Sequence, residues 1–353
     1  MKRLISILIS SCILVIIYTR IDVSGLIEVF RNCNPIWMFV SLGMVIPITL
    51  VTSWRLQQIT PHKAKLGFLE ANRLILSASV LNMVLPSKMG DIAKAYFMRK
   101  KGGVSGSLSL SIVIFEKACD MLSLLLWCAF GLLRYPEKGI FFWAVTVGVV
   151  GGLTIGTTIL GSRQFARLFF TLLRRVTPVK ISNKIKSMQT SWEEMQTYFW
   201  GNWMQLSKII VTSIFLWFLH LLQIWLFILA LRANAPFLDS LALSSLAILA
   251  GLIPLTFAGI GTRDAALVKL YNPYFSPPVA AALGLLCTSR YILPAIGGIP
   301  FLNQHVSELN AFRSSARKKS FSKFSGITSA RKPNKVSKVT NKARNLRRRF
   351  PKK

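Results

Sequence analysis

The sequence predicts an all-α polytopic membrane protein with about six full transmembrane helices plus two opposed re-entrant helical hairpins, eight hydrophobic segments in all. Three observations carry this expectation. First, 52% of the 353 residues are hydrophobic and mean hydropathy is positive, outside the range of soluble globular domains. Second, apolar runs long enough to cross about 30 Å of hydrocarbon recur along the chain. Third, two apolar runs end abruptly in a helix breaker, glycines and charges: "NMVLPSKMGD" at 82–91 and "IPLTFAGIGTRDAA" at 253–266. Nine Trp and 23 Phe suit lipid-facing and interfacial positions.

Taken in order, "MKRLISILISSCILVIIYTR" has a basic start and an apolar core of about fifteen residues without a small-x-small cleavage pattern. It reads as a retained signal anchor with Lys2 and Arg3 cytoplasmic. Full crossings are expected at 4–19, 36–53, 107–133, 139–161, 208–231 and 279–303. The runs 66–85 and 239–257 lead into the two broken stretches.

If all eight segments crossed fully, the basic residues of 86–106 and 162–207 would lie outside, against the positive-inside rule. If 66–101 and 239–277 each return to the side they entered, both basic loops and the carboxy-terminal tail lie inside. The first hairpin then enters from the cytoplasm and the second from the opposite face. Non-helical backbone at that depth is tolerated only where protein buries it or a wet cavity lines it. Pro86 and Pro254 are suited to end the first arms, and Gly90, Gly259 and Gly261 to permit the reversals. Two broken elements from opposite faces follow the inverted-repeat logic of secondary transporters. The internal symmetry is weak, because Pro86 precedes Asp91 by five residues and Pro254 precedes Asp264 by ten.

Residues 1–303 are thus expected to form a transmembrane domain whose 162–206 segment is an amphipathic cytoplasmic loop. In it Phe165, Leu168, Phe169, Leu172, Leu173 and Val176 recur at helical spacing, with Arg163, Arg167, Arg174 and Arg175 at the ends. That pattern fits an interfacial helix on anionic lipid, stopped by Pro178, or a plain connector lying on the membrane. A second amphipathic piece runs through Ile185, Met188, Trp192, Met195 and Phe199. Residues 304–353 carry sixteen Lys or Arg against Glu308 alone and few large apolar side chains, so a basic, disordered cytoplasmic tail is expected. Beside a negatively charged leaflet each basic residue adds roughly 1 kcal/mol of attraction. Anionic lipid, not nucleic acid, is therefore the expected partner of the +32 chain. Cys12, Cys33, Cys119, Cys128 and Cys287 lack metal-ligand spacing, and His62, His220 and His305 are scattered, so neither a metal nor a cofactor is expected. His220 reads as a hydrogen-bonded packing residue.

An ionisable side chain in mid-membrane costs about 2.5–3.5 kcal/mol on insertion scales, so each one invites a search for a partner. Four groups stand out: Asn82 with Lys88 and Asp91; Glu116, Lys117 and Asp120 inside an apolar helix; Arg263 with Asp264; and Arg290 in the last crossing. Glu116 and Asp120, four apart, share a helical face. Arg290 is expected either to pair with Glu116 or Asp120 or to hold a lipid phosphate. Lys88 and Arg263 serve either as substrate ligands or as snorkelling anchors, and Asp91 and Asp264 either line a cavity or cap the helix that resumes. A joint polar cavity of this kind suits a lipid head group. "GIGTRD" lacks a preceding strand and a third glycine, so it is no dinucleotide loop.

At these residues the chain resembles the lysylphosphatidylglycerol synthase transmembrane-region family of flippase-like membrane proteins. Asn82, Pro86, Lys88, Gly90 and Asp91 match its first motif, and Glu116, Lys117 and Asp120 its Glu-Arg-x-x-Asp. Pro254, Gly259, Gly261 and Asp264 match its Gly-x-Gly-x-x-acid, followed by Arg290. Asp91 and Asp264 stand where the family has Glu, Lys117 where it has Arg, and Ala258 where it has Gly. The resemblance, over residues 1 to about 303, implies two re-entrant elements and a role in moving or supplying a lipid across a bacterial inner membrane. An aminoacylated phospholipid, another phospholipid and a polyprenyl-linked sugar lipid all remain open as substrate, and the family's soluble aminoacyl-transferase domain has no counterpart beyond 303. The expected function is therefore a lipid flippase rather than an enzyme. The alternatives are a membrane-embedded transferase with Asp91 or Asp264 as base, or a non-catalytic envelope scaffold. The protein partners left open are a second copy of the chain and a lipid-modifying enzyme.

Overall fold

The computed structural model describes residues 23–61, 66–84, 90–101, 104–135, 137–177, 179–253 and 261–329. The expected signal anchor at 4–19, and Pro86, Lys88, Pro254 and Gly259, lie outside these residues. The described chain is all-helical, and no strand occurs among the described residues.

After α1 (Val23–Arg31), the expected crossing at 36–53 consists of two helical pieces, α2 (Pro35–Gly43) and α3 (Val45–Ile59), meeting at Met44. Asn34 caps α2 by accepting from the Ile36 and Trp37 N–H groups at 3.0 and 3.3 Å. The join has a local cause: Pro47 has no N–H for the Gly43 carbonyl four residues back, and its ring crowds that carbonyl.

The first hairpin pairs α4 (Phe68–Val84) with α5 (Gly90–Lys101), packed against each other. Gly90 allows the approach, since a Cβ there would run into the Ala78 carbonyl and the Asn82 side chain. Next come α6 (Gly106–Arg134), α7 (Ile140–Gly161), α8 (Arg163–Val176), α9 (Val179–Trp200) and α10 (Trp203–Ala230). Ser105, Ser162 and Asn202 cap α6, α8 and α10 by accepting a backbone N–H three residues on. The second hairpin pairs α11 (Phe237–Gly251) with α12 (Thr262–Leu270). Gly261 opens α12 at φ 105°, a left-handed conformation that a Cβ disfavours. The last helix, α13 (Pro277–Ser329), contains Pro294 and Pro300.

Four stretches among the described residues are long and apolar enough to cross a membrane: Pro35–Ile59, Phe142–Gly161, Trp203–Ala230 and Pro277–Asn303. The 29-residue α6 has the length as well, but carries Glu116, Lys117 and Asp120 in its course. It is also the hub of the fold, with α5, α7, α9, α10 and α11 packed around it. A large apolar core joins α1, α10, α11, α12 and α13 through Leu26, Phe227, Leu243, Leu267, Tyr271 and Leu283.

The loop is a helical hairpin whose two arms differ. On α9, Ile185, Trp192, Met195 and Phe199 are buried, and Phe199 stacks on Phe115 of α6 at 5.0 Å between ring centres. On α8 only Ala166 and Phe170 are buried. Cys119, Cys128 and Cys287 are buried free thiols, as packing residues are. Residues through Leu302 form one compact unit and those from Asn303 a second. In the second unit the backbone is helical as far as Ser329.

Candidate functional site

Within the helical unit lies a cavity of about 390 Å³. Three helices bring charge to one side of it. Lys94 and Asp91 come from α5, Glu116, Lys117 and Asp120 from α6, and Arg55 from the last turns of α3. They alternate in sign around an open ring that begins and ends on α5. Asp91 Oδ2 is 3.3 Å from Lys117 Nζ, which is 3.6 Å from Asp120 Oδ2. Asp120 Oδ1 accepts from Arg55 Nη1 at 2.5 Å, and Arg55 Nη2 is 3.5 Å from Glu116 Oε1. Glu116 Oε2 then accepts from Lys94 Nζ at 2.5 Å, returning the ring to α5. Ser213 of α10 accepts a second bond from Arg55 Nη1 at 3.2 Å, and Asn82 of α4 donates to Asp91 Oδ1 at 3.5 Å.

Three carboxylates match three cations, so the ring is formally neutral. That neutrality lets the charges sit together in a low-dielectric interior, where an unpaired one would cost several kcal/mol. The ring has a dry end and an open end. Arg55, Lys94 and Glu116 are almost fully enclosed, at 1%, 0% and 2% exposure, whereas the Lys117 side chain is 45% exposed.

Elsewhere on the cavity wall, Arg290 of α13 reaches His220 of α10, with Nη2 to Nδ1 at 2.5 Å. A guanidinium can only donate, so Nδ1 accepts and His220 is the neutral tautomer protonated at Nε2. Among the described residues no carboxylate pairs with Arg290, which corrects the expected ion pair with Glu116 or Asp120. The reason is geometric: Arg55 and Lys94 already occupy those carboxylates. Arg290 Nε, Asn82 Oδ1 and Gln223 Oε1 are buried polar atoms without a hydrogen-bond partner around this cavity. Much of the remaining wall is apolar, from Val45, Ile48, Ile75, Leu216 and Ile292.

Arg263 and Asp264 stand apart from this lining. Arg263 Nε and Nη2 donate to Asp264 Oδ1 at 3.0 and 2.7 Å, and Nη2 also reaches the Gly284 carbonyl and Thr288 Oγ1 at 3.0 and 2.9 Å. Asp264 Oδ2 accepts the Gly261 N–H at 3.1 Å. The pair therefore caps α12 and fastens it to α13, and it touches the cavity only through Thr288, which lines it.

Of the residues expected to form one site, the fold gathers Asn82, Asp91, Glu116, Asp120 and Arg290 around the cavity and leaves Arg263 and Asp264 behind it. Sequence reasoning missed Arg55, Lys94 and Gln223 as wall residues. Arg55 left a signal, a lone cation in the apolar run "VTSWRLQQI", to which the partner search applied to Arg290 extends equally. Lys94 was counted only as loop charge. Among the described residues no three His, Cys, Asp or Glu side chains gather as a metal site.

Comparison with known proteins finds relatives among membrane proteins. The sequence profile of the lysylphosphatidylglycerol synthase TM region matches residues 3–298. The UPF0104 membrane protein MJ1595 of Methanocaldococcus jannaschii is 24% identical over 326 residues, 84% of this chain and 93% of the relative. A second protein of that organism, the UPF0104 membrane protein MJ1078, is 25% identical over 227 residues, 63% of this chain and 92% of the relative. With apolar spanning helices, a matched profile along most of its length and charges gathered in its interior, the chain is an integral multi-pass membrane protein belonging to the lysylphosphatidylglycerol synthase transmembrane-region family.

Proposed function

We propose that this protein is a lipid flippase-like transporter that shelters the head group of a phospholipid or polyprenyl-linked lipid while it crosses the bilayer. One observation carries the reading: Arg290 faces a mostly apolar cavity in which, among the described residues, the other charges neutralise one another, and it donates to a neutral imidazole and not to a carboxylate. A cation left over in such a place attracts an anion, and a planar guanidinium suits a phosphate. Apolar walls beside it suit the glycerol and chain region of the same molecule.

In this reading α4–α5 and α11–α12 are re-entrant hairpins that enter from opposite faces, the amino and carboxy termini are cytoplasmic, and the membrane is a bacterial inner membrane. The distribution of Lys and Arg supports that orientation. The transferase alternative gains nothing at Asp264, whose two oxygens are both engaged.

The test is leaflet exchange in proteoliposomes, with fluorescent phosphatidylglycerol, a zwitterionic phospholipid and a polyprenyl-phosphate sugar as separate probes. The protein is expected to accelerate exchange of at least one. Arg290→Gln is expected to lower that rate about tenfold or more, since a charge-assisted hydrogen bond contributes about 1.5–3 kcal/mol. No acceleration for any of the three lipids sinks the reading.

A further inference from the structure

The α8–α9 hairpin carries a surface that the cavity does not use. Phe165, Leu168, Phe169, Leu172 and Val176 share one side of the helix through three- and four-residue spacings, and all are exposed, from 46% for Phe169 to 86% for Val176. This stripe is distinct from the face α8 turns to the protein, where Ala166 and Phe170 are buried and Phe170 meets Trp192 of α9 edge to face at 6.0 Å. The helix therefore has two apolar faces, and only one has a protein partner. Its remaining side carries Arg163, Gln164, Arg167, Thr171 and Arg175, all exposed. Arg167 is tied to Glu193 of α9 through Nε and Nη2 at 2.9 and 3.2 Å, which fixes the roll of α8 on the hairpin.

The level of this helix is also fixed. The spanning helix α7 ends at Gly161, and α8 starts at Arg163, with Ser162 alone between them as the cap. Where α7 leaves hydrocarbon, α8 begins. Exposed Trp200 and Trp203 stand at the same level, because Trp200 Nε1 donates to the Leu160 carbonyl at 3.3 Å. Tryptophans of this kind mark a membrane–water boundary.

We propose that α8 lies in the plane of the leaflet where α7 emerges, with its Phe165–Val176 stripe in the acyl boundary and Arg163 and Arg175 among anionic lipid head groups. Level and charge together select this occupant: α8 begins where the apolar run of α7 ends, beside Trp200 and Trp203, so its stripe stands at the height of the acyl boundary and its arginines at that of the head groups, and anionic lipid satisfies both faces at once.

The test uses the full chain with its native cysteines replaced, a nitroxide introduced by Phe169→Cys or Thr171→Cys, and nanodiscs containing phosphatidylglycerol. At 169, collisions with oxygen are expected to exceed those with a water-soluble nickel chelate several-fold; at 171 the order reverses. Exchanging phosphatidylglycerol for phosphatidylcholine, or introducing Arg163→Gln with Arg175→Gln, is expected to lower the oxygen preference at 169. Nickel access at 169 equal to that at 171 overturns the proposal by placing the stripe in water. Exclusion of both reagents with spin–spin broadening overturns it in favour of a second copy. An oxygen preference indifferent to lipid charge and to the arginine substitutions overturns the anionic assignment.

Discussion

The two hairpins spend similar residues in opposite ways. In α4–α5 the charges reach outward: Asp91 meets Lys117 and Lys94 meets Glu116, both on α6, so the hairpin's polar groups belong to a wall shared by three helices. In α11–α12 the enclosed charges close on each other, Arg263 on its neighbour Asp264, with remaining bonds to Gly261, Gly284 and Thr288, and the more exposed Asp239 at the start of α11 reaches out, to Arg134 of α6 at 2.6 Å. A glycine followed by an acid thus contributes to a cavity wall in one place and to a fastening in the other. The difference lies in what packs opposite. Asp91 and Lys94 of the first hairpin face the charged stretch of α6; Arg263 of the second faces Gly284 and Thr288 of α13, which offer it a backbone carbonyl and a hydroxyl.

Removing the acid at the centre of the ring is the severest way to break the first hairpin's arrangement. Glu116→Ala leaves the enclosed Lys94 without its carboxylate and the enclosed Arg55 with Asp120 alone, and is expected to cost about 3–5 kcal/mol, read as thermal unfolding in detergent. A cost below about 1 kcal/mol would show that the ring is not buried as described.

The paired substitutions Asp264→Asn and Asp91→Asn sharpen the contrast directly. Asp264→Asn strips the counter-charge from an enclosed guanidinium and is expected to destabilise by about 3 kcal/mol while leaving transport per folded molecule near normal. Asp91→Asn acts on a pair whose lysine is 45% exposed, so its stability cost stays within about 1 kcal/mol. Its transport is expected to fall about tenfold, as for loss of one charge-assisted bond at the cavity. Equal behaviour of the two variants would dissolve the distinction.

Glycine substitutions probe the same hairpins through their backbones. Gly261→Ala places a Cβ at φ 105° and is expected to cost about 1–2 kcal/mol. Gly90→Ala instead forces the arms of α4–α5 apart, costing about 1–3 kcal/mol and changing cavity access as well, which labelling of a cysteine introduced at Ser79 would report.

The smallest effect belongs to the α8–α9 hairpin. Hydrogen bonding to Arg167 holds the Glu193 carboxyl below its ordinary range, although burial opposes this. A depressed carboxylate contributes stability that is present above its unfolded pKa and lost as pH falls through the folded value. Protection of the α8 amides, taken relative to the intrinsic exchange rate at each pH, is therefore expected to be unchanged from pH 7 to pH 5 and to fall slightly below about pH 4. Glu193→Gln should abolish that dependence.

Much of this was legible without coordinates because a bilayer is an unforgiving solvent. Runs of apolar residues, the breakers after 84 and 253, and every intramembrane charge are visible in one dimension, since each must be tolerated or explained where it stands. Even Arg55 was visible in that sense, as a cation without a stated purpose. The break at Met44 was less so, because Pro47 lies within an otherwise uniform apolar run and acts on a carbonyl four residues earlier.

By itself the sequence determined the class of protein, the places where helices end, and which residues carry charge into the membrane. The tertiary structure alone decided who meets whom: that Glu116 belongs to Lys94 and Arg55, that Arg263 is occupied by its neighbour, and that Arg290 is left with a histidine. Pairing depends on side chains that lie within about 4 Å after helices 20 to 160 residues apart have packed, and spacing along the chain holds no record of that approach.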